Sequence, residues 1–538
     1  MSSKTKNKGS KKPEQVPAPA DRPSGNTALL LTSLAIVTTL IALISRIFLS
    51  AYPMNRDEGT YGYLGGLSVK GFIPYVDFYE MKPPVLYYLY GLGGTLFGFS
   101  DFGLRFFGLL LNLASGLLIY LILTRYIDKT YALVSSALFA MLSINLYALG
   151  FTMVAEHIVN TFVLLSFYLL IRSYDRKGLL LILLAGAAFA MAILTKQTAI
   201  LLSPLFLLYL VMQRKQKAWF LHGLTFAGGA LIPALLLFVF LWANSALDDA
   251  YYWLLTYPAK YSATVTSEEG KGFLKYFLKN ITRFQLSLFG IAGLALATNI
   301  FFAKLKPNIL LLTYFMLAVI ILIPGFRFYG QYWLLLFAPL AMMTGTALHQ
   351  LSRKDHRLGI GAAFIVLLCI LGESVVKRAY YFEAETTPDI VKLYRNNPFE
   401  AIRKLSTYAA SLMKDNETIM MCGSEPQVYL YAGRTAPTRH VFMSMLTKHT
   451  EKTDAFVEEA LSDLQDKKPD YVLYNLFPYS WSMSPSSNDV LYTSSFAVIA
   501  REYVPVAAYN MNDQQYTYVG DGVIDPKIIN QVILFKRK

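Results

Sequence analysis

The chain has 538 residues, of which 55% are hydrophobic and only 16% charged, with a mean hydropathy of +0.41. A soluble protein carries about 25% charged residues, so this composition excludes an ordinary soluble enzyme and points to an integral membrane protein. The formal charge of +14 does not mark a nucleic-acid binder: residues 1–376 hold 31 Lys+Arg against 16 Asp+Glu, while residues 377–538 are nearly balanced at 18 against 19, which reads as membrane topology.

Residues 1–26 are rich in Lys, Pro, Ser and Ala without periodicity, and read as a disordered basic arm on the cytoplasmic side. The apolar run that follows is too long for a signal-peptide core and reads as an uncleaved first helix. Apolar runs predict spans near 27–49, 104–124, 131–150, 157–171, 178–194, 198–212, 219–242, 284–302, 308–324, 332–349 and 358–376. That is about eleven crossings, eleven to thirteen being compatible with the pattern. With the N-terminal arm inside, the inner connections carry 19 Lys+Arg and 5 Asp+Glu, and the outer ones 9 and 10, as the positive-inside rule requires. Residues 84–99 are thin for a span and contain four glycines. They read as a helix lying at the outer interface. Two cysteines, Cys369 in an apolar run and Cys422 in the tail, predict no disulfide.

The membrane part thus covers 27–376, and 377–538 reads as a soluble α/β domain on the outer side. Strands are expected at 418–422, 470–474, 496–499 and 532–535, and a helix at 453–464, giving a small mixed sheet. No glycine-rich phosphate loop follows any of these strands.

The first outer loop, 51–103, carries the chemistry. It opens on Asp57 and Glu58, holds Tyr61 and Tyr79 among other tyrosines, and closes on Lys82-Pro83-Pro84. A carboxylate at the membrane face suits a general base acting on a hydroxyl, with Glu58 to orient it or bind an acceptor or metal. A lysine beside a helix start suits an anion. Glu156 falls at the outer end of another span, where ionisable groups are often functional. Lys196 and Arg327 face the same side from distant stretches, with Tyr329 and Tyr332 beside the arginine. With Lys82 they suit a phosphate or diphosphate at headgroup depth. Six scattered histidines show no metal-binding spacing. Carboxylates of the first loop leave a divalent cation open.

The stretch RDEGTYGYLGGLSVKGFIPYVDFYEMKPPVLYYLYGLGGTLFG resembles the first outer loop of GT-C glycosyltransferases of the protein O-mannosyltransferase and lipid A aminoarabinose transferase type (PMT-like). LTKQTAILLSPL, RFYGQYWLLLFAPLA and, in the tail, MMCGSEPQVYLYAGRTAPTRH resemble further segments. The resemblance implies a GT-C fold: a polytopic α-helical membrane protein with an outer α/β domain. It implies an inverting transfer of a sugar from a polyprenyl-phosphate donor to an acceptor hydroxyl on a lipid, polysaccharide or protein, at the outer face of the bilayer. Asp57 would be the key catalytic carboxylate, Lys82 the donor-phosphate ligand, Glu156 a catalytic acid, and Arg327 a phosphate-binding arginine. Met81 between Glu80 and Lys82 departs from the lipid A enzymes, where acid and lysine are adjacent. Two other readings remain at this stage. One is a transporter or flippase of lipid-linked sugars, disfavoured by charges crowded at one face and the absence of repeats. The other is a polysaccharide polymerase or ligase with a diphosphate-lipid donor.

Overall fold

The computed structural model describes residues 25–176, 178–213, 218–302, 306–383, 393–394, 397–484, 486–518, 524–525 and 530–538. Residues 1–24 of the basic arm and the whole basic cluster at 214–217 therefore lie outside the described residues.

Helices dominate the first 376 residues. Among the described residues six are long and apolar enough to cross a membrane: Asn26–Leu49, Asp101–Leu123, Ala155–Tyr174, Trp219–Ala243, Gly330–Lys354 and His356–Val376. Six more are apolar but shorter: Val85–Phe97, Lys129–Leu142, Leu179–Ile193, Gln197–Met212, Ser287–Phe301 and Lys306–Ile321. The eleven expected spans correspond to all of these except Val85–Phe97. At about 1.5 Å per residue the shorter ones fall below the roughly 30 Å of a straight crossing.

Burial sorts the long helices. Leu334–Lys354 is enclosed almost along its whole length and stands at the centre. Trp219–Ala243 leaves Leu231, Leu235, Leu236 and Trp242 more than half exposed. A helix apolar on an uncovered surface faces lipid.

The first outer loop folds into two helices, α1 (Arg56–Val69) and α2 (Val85–Phe97). They pack closely because glycines face each other: a Cβ at Gly65 would meet the Gly91 amide nitrogen at 2.6 Å and the Tyr87 carbonyl at 2.8 Å. The sequence expectation of a helix beyond Pro84 holds. The helix before it, α1, was not foreseen, because its residues are mixed in polarity and buried on most sides.

The tail carries a five-stranded mixed sheet: β1 (Ile419–Cys422), β2 (Tyr471–Asn475), β3 (Tyr503–Asn510), β4 (Gln515–Tyr518) and β5 (Gln531–Arg537), in the order β1-β2-β5-β3-β4. Only β1 and β2 pair in parallel. The strands at 418–422, 470–474 and 532–535 and the helix at 453–464 are found. The strand expected at 496–499 is instead part of helix Val490–Glu502. Leu491, Ser495, Val498 and Ile499 are its buried residues, a three-and-four spacing that a four-residue window hides.

The tail is not tethered by a free linker. One apolar cluster joins Tyr61, Tyr63, Leu64 and Tyr87 of the outer loop to Val428, Tyr429 and Leu473 of the tail. Another joins Tyr75, Tyr79, Trp253 and Tyr257 to Met445, Phe456 and Trp481. Loop and tail share one packed interior.

Candidate active site

Helix α1 begins at a built cap: the Asn55 side chain accepts the Glu58 amide N–H at 2.9 Å. Two acids in the first turn suit the positive helix end. Successive residues on a helix point about 100° apart, so the acidic pair splits. Asp57 faces a cavity of about 210 Å³. Glu58 faces inward, where both oxygens take hydrogen bonds from Arg105 at 2.9 and 2.6 Å and one also accepts the Met153 N–H at 2.9 Å. Glu58 does not line the cavity, and its carboxylate is already fully engaged. The orienting, acceptor or metal role expected for it is corrected to an anchor between α1 and the span Asp101–Leu123.

The cavity lies between the outer loop, the outer helix ends and the tail. Its walls include Asn55, Arg56, Asp57, Tyr61, Glu80, Lys82, Glu156, Lys196, Tyr329, Gln331 and Tyr332, and from the tail Phe442, Ser444, Met445 and Ser482. Asp57, Lys82, Glu156 and Lys196 therefore share one space although 139 positions separate the first from the last. Burial raises the Asp57 carboxyl above its ordinary range; Lys82 opposes the rise, Glu156 adds to it, and Arg56 and Lys196 oppose it. Gln331 donates to Asp57 Oδ2 at 3.0 Å and fixes the carboxylate.

Lys82 is held by its backbone. Its carbonyl accepts from Tyr75 and Tyr87 hydroxyls at 2.5 and 2.8 Å, and its N–H donates to Glu80 Oε2 at 2.6 Å. Gln197 clamps the preceding Met81 carbonyl at 2.7 Å. Lys196 pairs with Glu156 and lies 3.7 Å above the Tyr332 ring. Burial pulls its ammonium down, and Glu156 resists. Lys196, expected at a phosphate, is thus engaged in an internal ion pair with Glu156.

Arg327 does not line the cavity. It stacks 4.0 Å over the Tyr261 ring and donates to Thr264 at 2.7 Å and to the Tyr329 hydroxyl at 3.4 Å. Tyr261 and Tyr329 are cavity walls, so the arginine stands one side chain back. Its neighbours Phe326 and Phe328 have φ of 49° and 46°, a left-handed backbone costing about 1–3 kcal/mol each. Tyr79 also lies outside the cavity, packed among Trp253, His440 and Phe456 with Arg439 over its ring; its expected pocket role becomes a structural one. Tyr61, Tyr329 and Tyr332 line the cavity.

Three carboxylates, Asp57, Glu80 and Glu156, line the cavity. Glu80 is taken up by Tyr87 and the Lys82 N–H, and Glu156 by Lys196. Among the described residues no group of three or more His, Cys, Asp or Glu is arranged to hold a metal ion.

Arg56, Gln331 and the tail residues are not among the candidates read from the sequence, and Glu80 is noted there without an assigned role. Arg56 and Glu80 sat beside the motif; Gln331 and the tail wall come from hundreds of positions away and carry no local signal.

Among the described residues, a polar, charged cavity thus lies at the ends of apolar helices. A family profile described as dolichyl-phosphate-mannose-protein mannosyltransferase matches residues 81–242. The chain is 26% identical to an uncharacterised protein of Aquifex aeolicus (strain VF5) over 382 residues, covering 66% of this chain and 88% of that one. The crystal structure of ArnT from Cupriavidus metallidurans in the apo state is similar with a TM-score of 0.56 at 13% identity, covering 95% of this chain and 98% of that one. The same protein bound to undecaprenyl phosphate gives 0.52 at 12%, with the same coverage. The Archaeoglobus fulgidus oligosaccharyltransferase tethered with an acceptor peptide gives 0.51 at 13%, covering 94% and 75%. The chain shares the fold of these structures, and its residues 81–242 are similar to the dolichyl-phosphate-mannose-protein mannosyltransferase family.

Proposed function

We propose that the protein transfers a sugar from a polyprenyl-phosphate donor to an acceptor hydroxyl, with inversion, at the outer face of the membrane. The observation that carries this is the single cavity in which Asp57 meets Lys82 and Lys196 beside apolar helices. A lipid-phosphate sugar brings its own leaving group. The enzyme then needs a base on one side of the anomeric carbon and cations where phosphate charge develops. Asp57 takes the acceptor proton. Lys82 receives the leaving phosphate, with Lys196 and, behind the tyrosines, Arg327 supporting the charge. Glu156 holds Lys196 in place. The similarity to ArnT bound to undecaprenyl phosphate supports a lipid-phosphate carrier. The charge distribution supports a cytoplasmic N-terminus with 377–538 outside.

Purified protein reconstituted in vesicles is offered a panel of polyprenyl-phosphate sugars, with release of lipid phosphate followed by mass spectrometry. Sugar-dependent release from at least one donor supports the reading. Carrier movement across the bilayer without glycosidic cleavage supports a transporter instead, and turnover confined to diphosphate-linked donors supports the polymerase or ligase.

A further inference from the structure

We propose that Glu425, in the tail, is a positioning residue for the Asp57 cavity: it fixes Arg56 in the cavity wall, and so makes the outer domain a working part of the site. This rests on reading Asp57 as the base.

The geometry begins at the end of β1. The chain leaves Cys422 through Gly423, whose φ is +153° and where a Cβ would meet Ser480 Oγ at 2.7 Å and Glu425 Oε2 at 2.9 Å. Glycine there leaves room for the Glu425 carboxylate, which is fully buried. Its Oε2 accepts from Ser480 Oγ at 2.6 Å, Asn475 Nδ2 at 3.1 Å and the Ser424 N–H at 3.1 Å. Its Oε1 accepts from Arg56 at 2.5 Å. Three donors from the tail orient the carboxylate, and Arg56 supplies its cation.

Arg56 is gripped on further edges. Its Nε donates to the Ser424 carbonyl at 2.8 Å, and a terminal nitrogen reaches Asn397 Oδ1 at 3.3 Å. The residue that carries this guanidinium precedes Asp57 and lines the same cavity. Behind it, helix Gln427–Ala432 seats on α1 so closely that a Cβ at Gly59 would meet Gln427 Cβ at 2.5 Å. The tail therefore grips the first turn of α1 by an ion pair and by backbone contact. A buried carboxylate is retained when its partners are fixed, and removing one partner is costly. Such an ion pair spanning two parts of the chain sets where the Arg56 charge stands relative to Asp57.

The other groups facing Asp57 are Lys82 and Glu80 from the loop, Glu156 from Ala155–Arg176, Lys196 ahead of Gln197–Leu202, Tyr61 on α1 itself, and Gln331 and Tyr332 from Gly330–Trp333. Glu425 partly cancels Arg56. Glu425→Gln keeps an oxygen to accept from Arg56 but removes the cancelling charge. Arg56 then acts unopposed on Asp57 and favours its ionised form.

The probe is undecaprenyl phosphate, titrated against full-length protein in nanodiscs across pH. Ionised Asp57 repels the phosphate, so wild-type affinity falls as pH rises through the Asp57 transition. Asp57→Asn reports the titration of the lipid phosphate itself and serves as the reference. Relative to it, the midpoint in Glu425→Gln is expected to move to lower pH, and Glu425→Asp to restore part of the wild-type midpoint. A lower melting temperature with affinity reduced uniformly and the midpoint unmoved overturns the inference and leaves the transferase reading standing. No binding by the wild type at any pH overturns the transferase reading and the inference with it.

Discussion

Asp57 and Glu58 are neighbours with opposite fates, and helical geometry decides which is which. Glu58 points into protein and is neutralised by Arg105. Asp57 points into the cavity, raised by burial and pulled back by Lys82, Arg56 and Lys196. As a base it must be deprotonated, so the transfer rate rises with pH through the Asp57 transition. Because that transition is raised, the acid limb of kcat/KM is expected above the ordinary aspartate value of about 3.9. A limb at or below that value removes Asp57 from the base role. Lys82 is held through its backbone while its ammonium faces the cavity. Lys82→Ala is expected to weaken lipid-phosphate binding by about 1.5–3 kcal/mol, roughly ten- to a hundredfold, the worth of a charged hydrogen bond. Isothermal titration with undecaprenyl phosphate checks it, and an unchanged affinity takes Lys82 out of the phosphate site. At this scale the sequence was a good guide for residues that sit together in the loop motif. It failed for Gln331, which touches Asp57 from 274 positions away, and for Tyr79, whose aromatic neighbours include the distant Trp253 and Phe456 of the tail.

Elements hold these residues by close backbone approach and by buried ion pairs, Glu58–Arg105 among them. Glu58 and Arg105 are both buried, and Arg105 also donates to the carbonyls of Leu49, Tyr52 and Pro53. It thereby ties α1 to the end of the first span and to Asp101–Leu123. Glu58→Ala leaves a buried guanidinium without its counter-charge and is expected to cost about 3–5 kcal/mol. Thermal melting in detergent reads this directly, and a loss below about 1 kcal/mol would match an exposed pair instead. Gly65→Val is expected to part α1 from α2, since the obstructing atoms are backbone. The apolar runs made the spans legible, because periodicity and length survive without tertiary knowledge. The helix Val490–Glu502 was misread from a short apolar run, and the hairpin of β3 and β4 passed unseen, because β4 is half-exposed and lacks clean alternation.

At the scale of the whole molecule, charge and architecture agree on a one-sided enzyme. The outer loop and the tail pack as one body over the helix ends, so the cavity opens where two parts of the chain meet, as ligand sites often do. The proposed topology, argued from the positive-inside count, has this face outside. In a Cys369→Ser background, a cysteine at the exposed Lys70 is expected to react with a membrane-impermeant maleimide in intact cells. A cysteine at the exposed Lys354 is expected to react only after the cells are opened. The reverse pattern inverts the topology. That the tail supplies part of the cavity wall was not legible, because strands and helices of a small α/β domain carry no mark of the surface they will cover.

The account turns on Asp57 as the group that takes the proton from the acceptor while the sugar leaves its lipid carrier. The direct measurement compares wild type and Asp57→Asn in vesicles, with the donor on which the wild type turns over, reading transfer and lipid-phosphate affinity on the same preparations. Transfer is expected to fall to background in the variant, while affinity for the lipid phosphate is kept or increased. Near-normal transfer by Asp57→Asn would contradict the account.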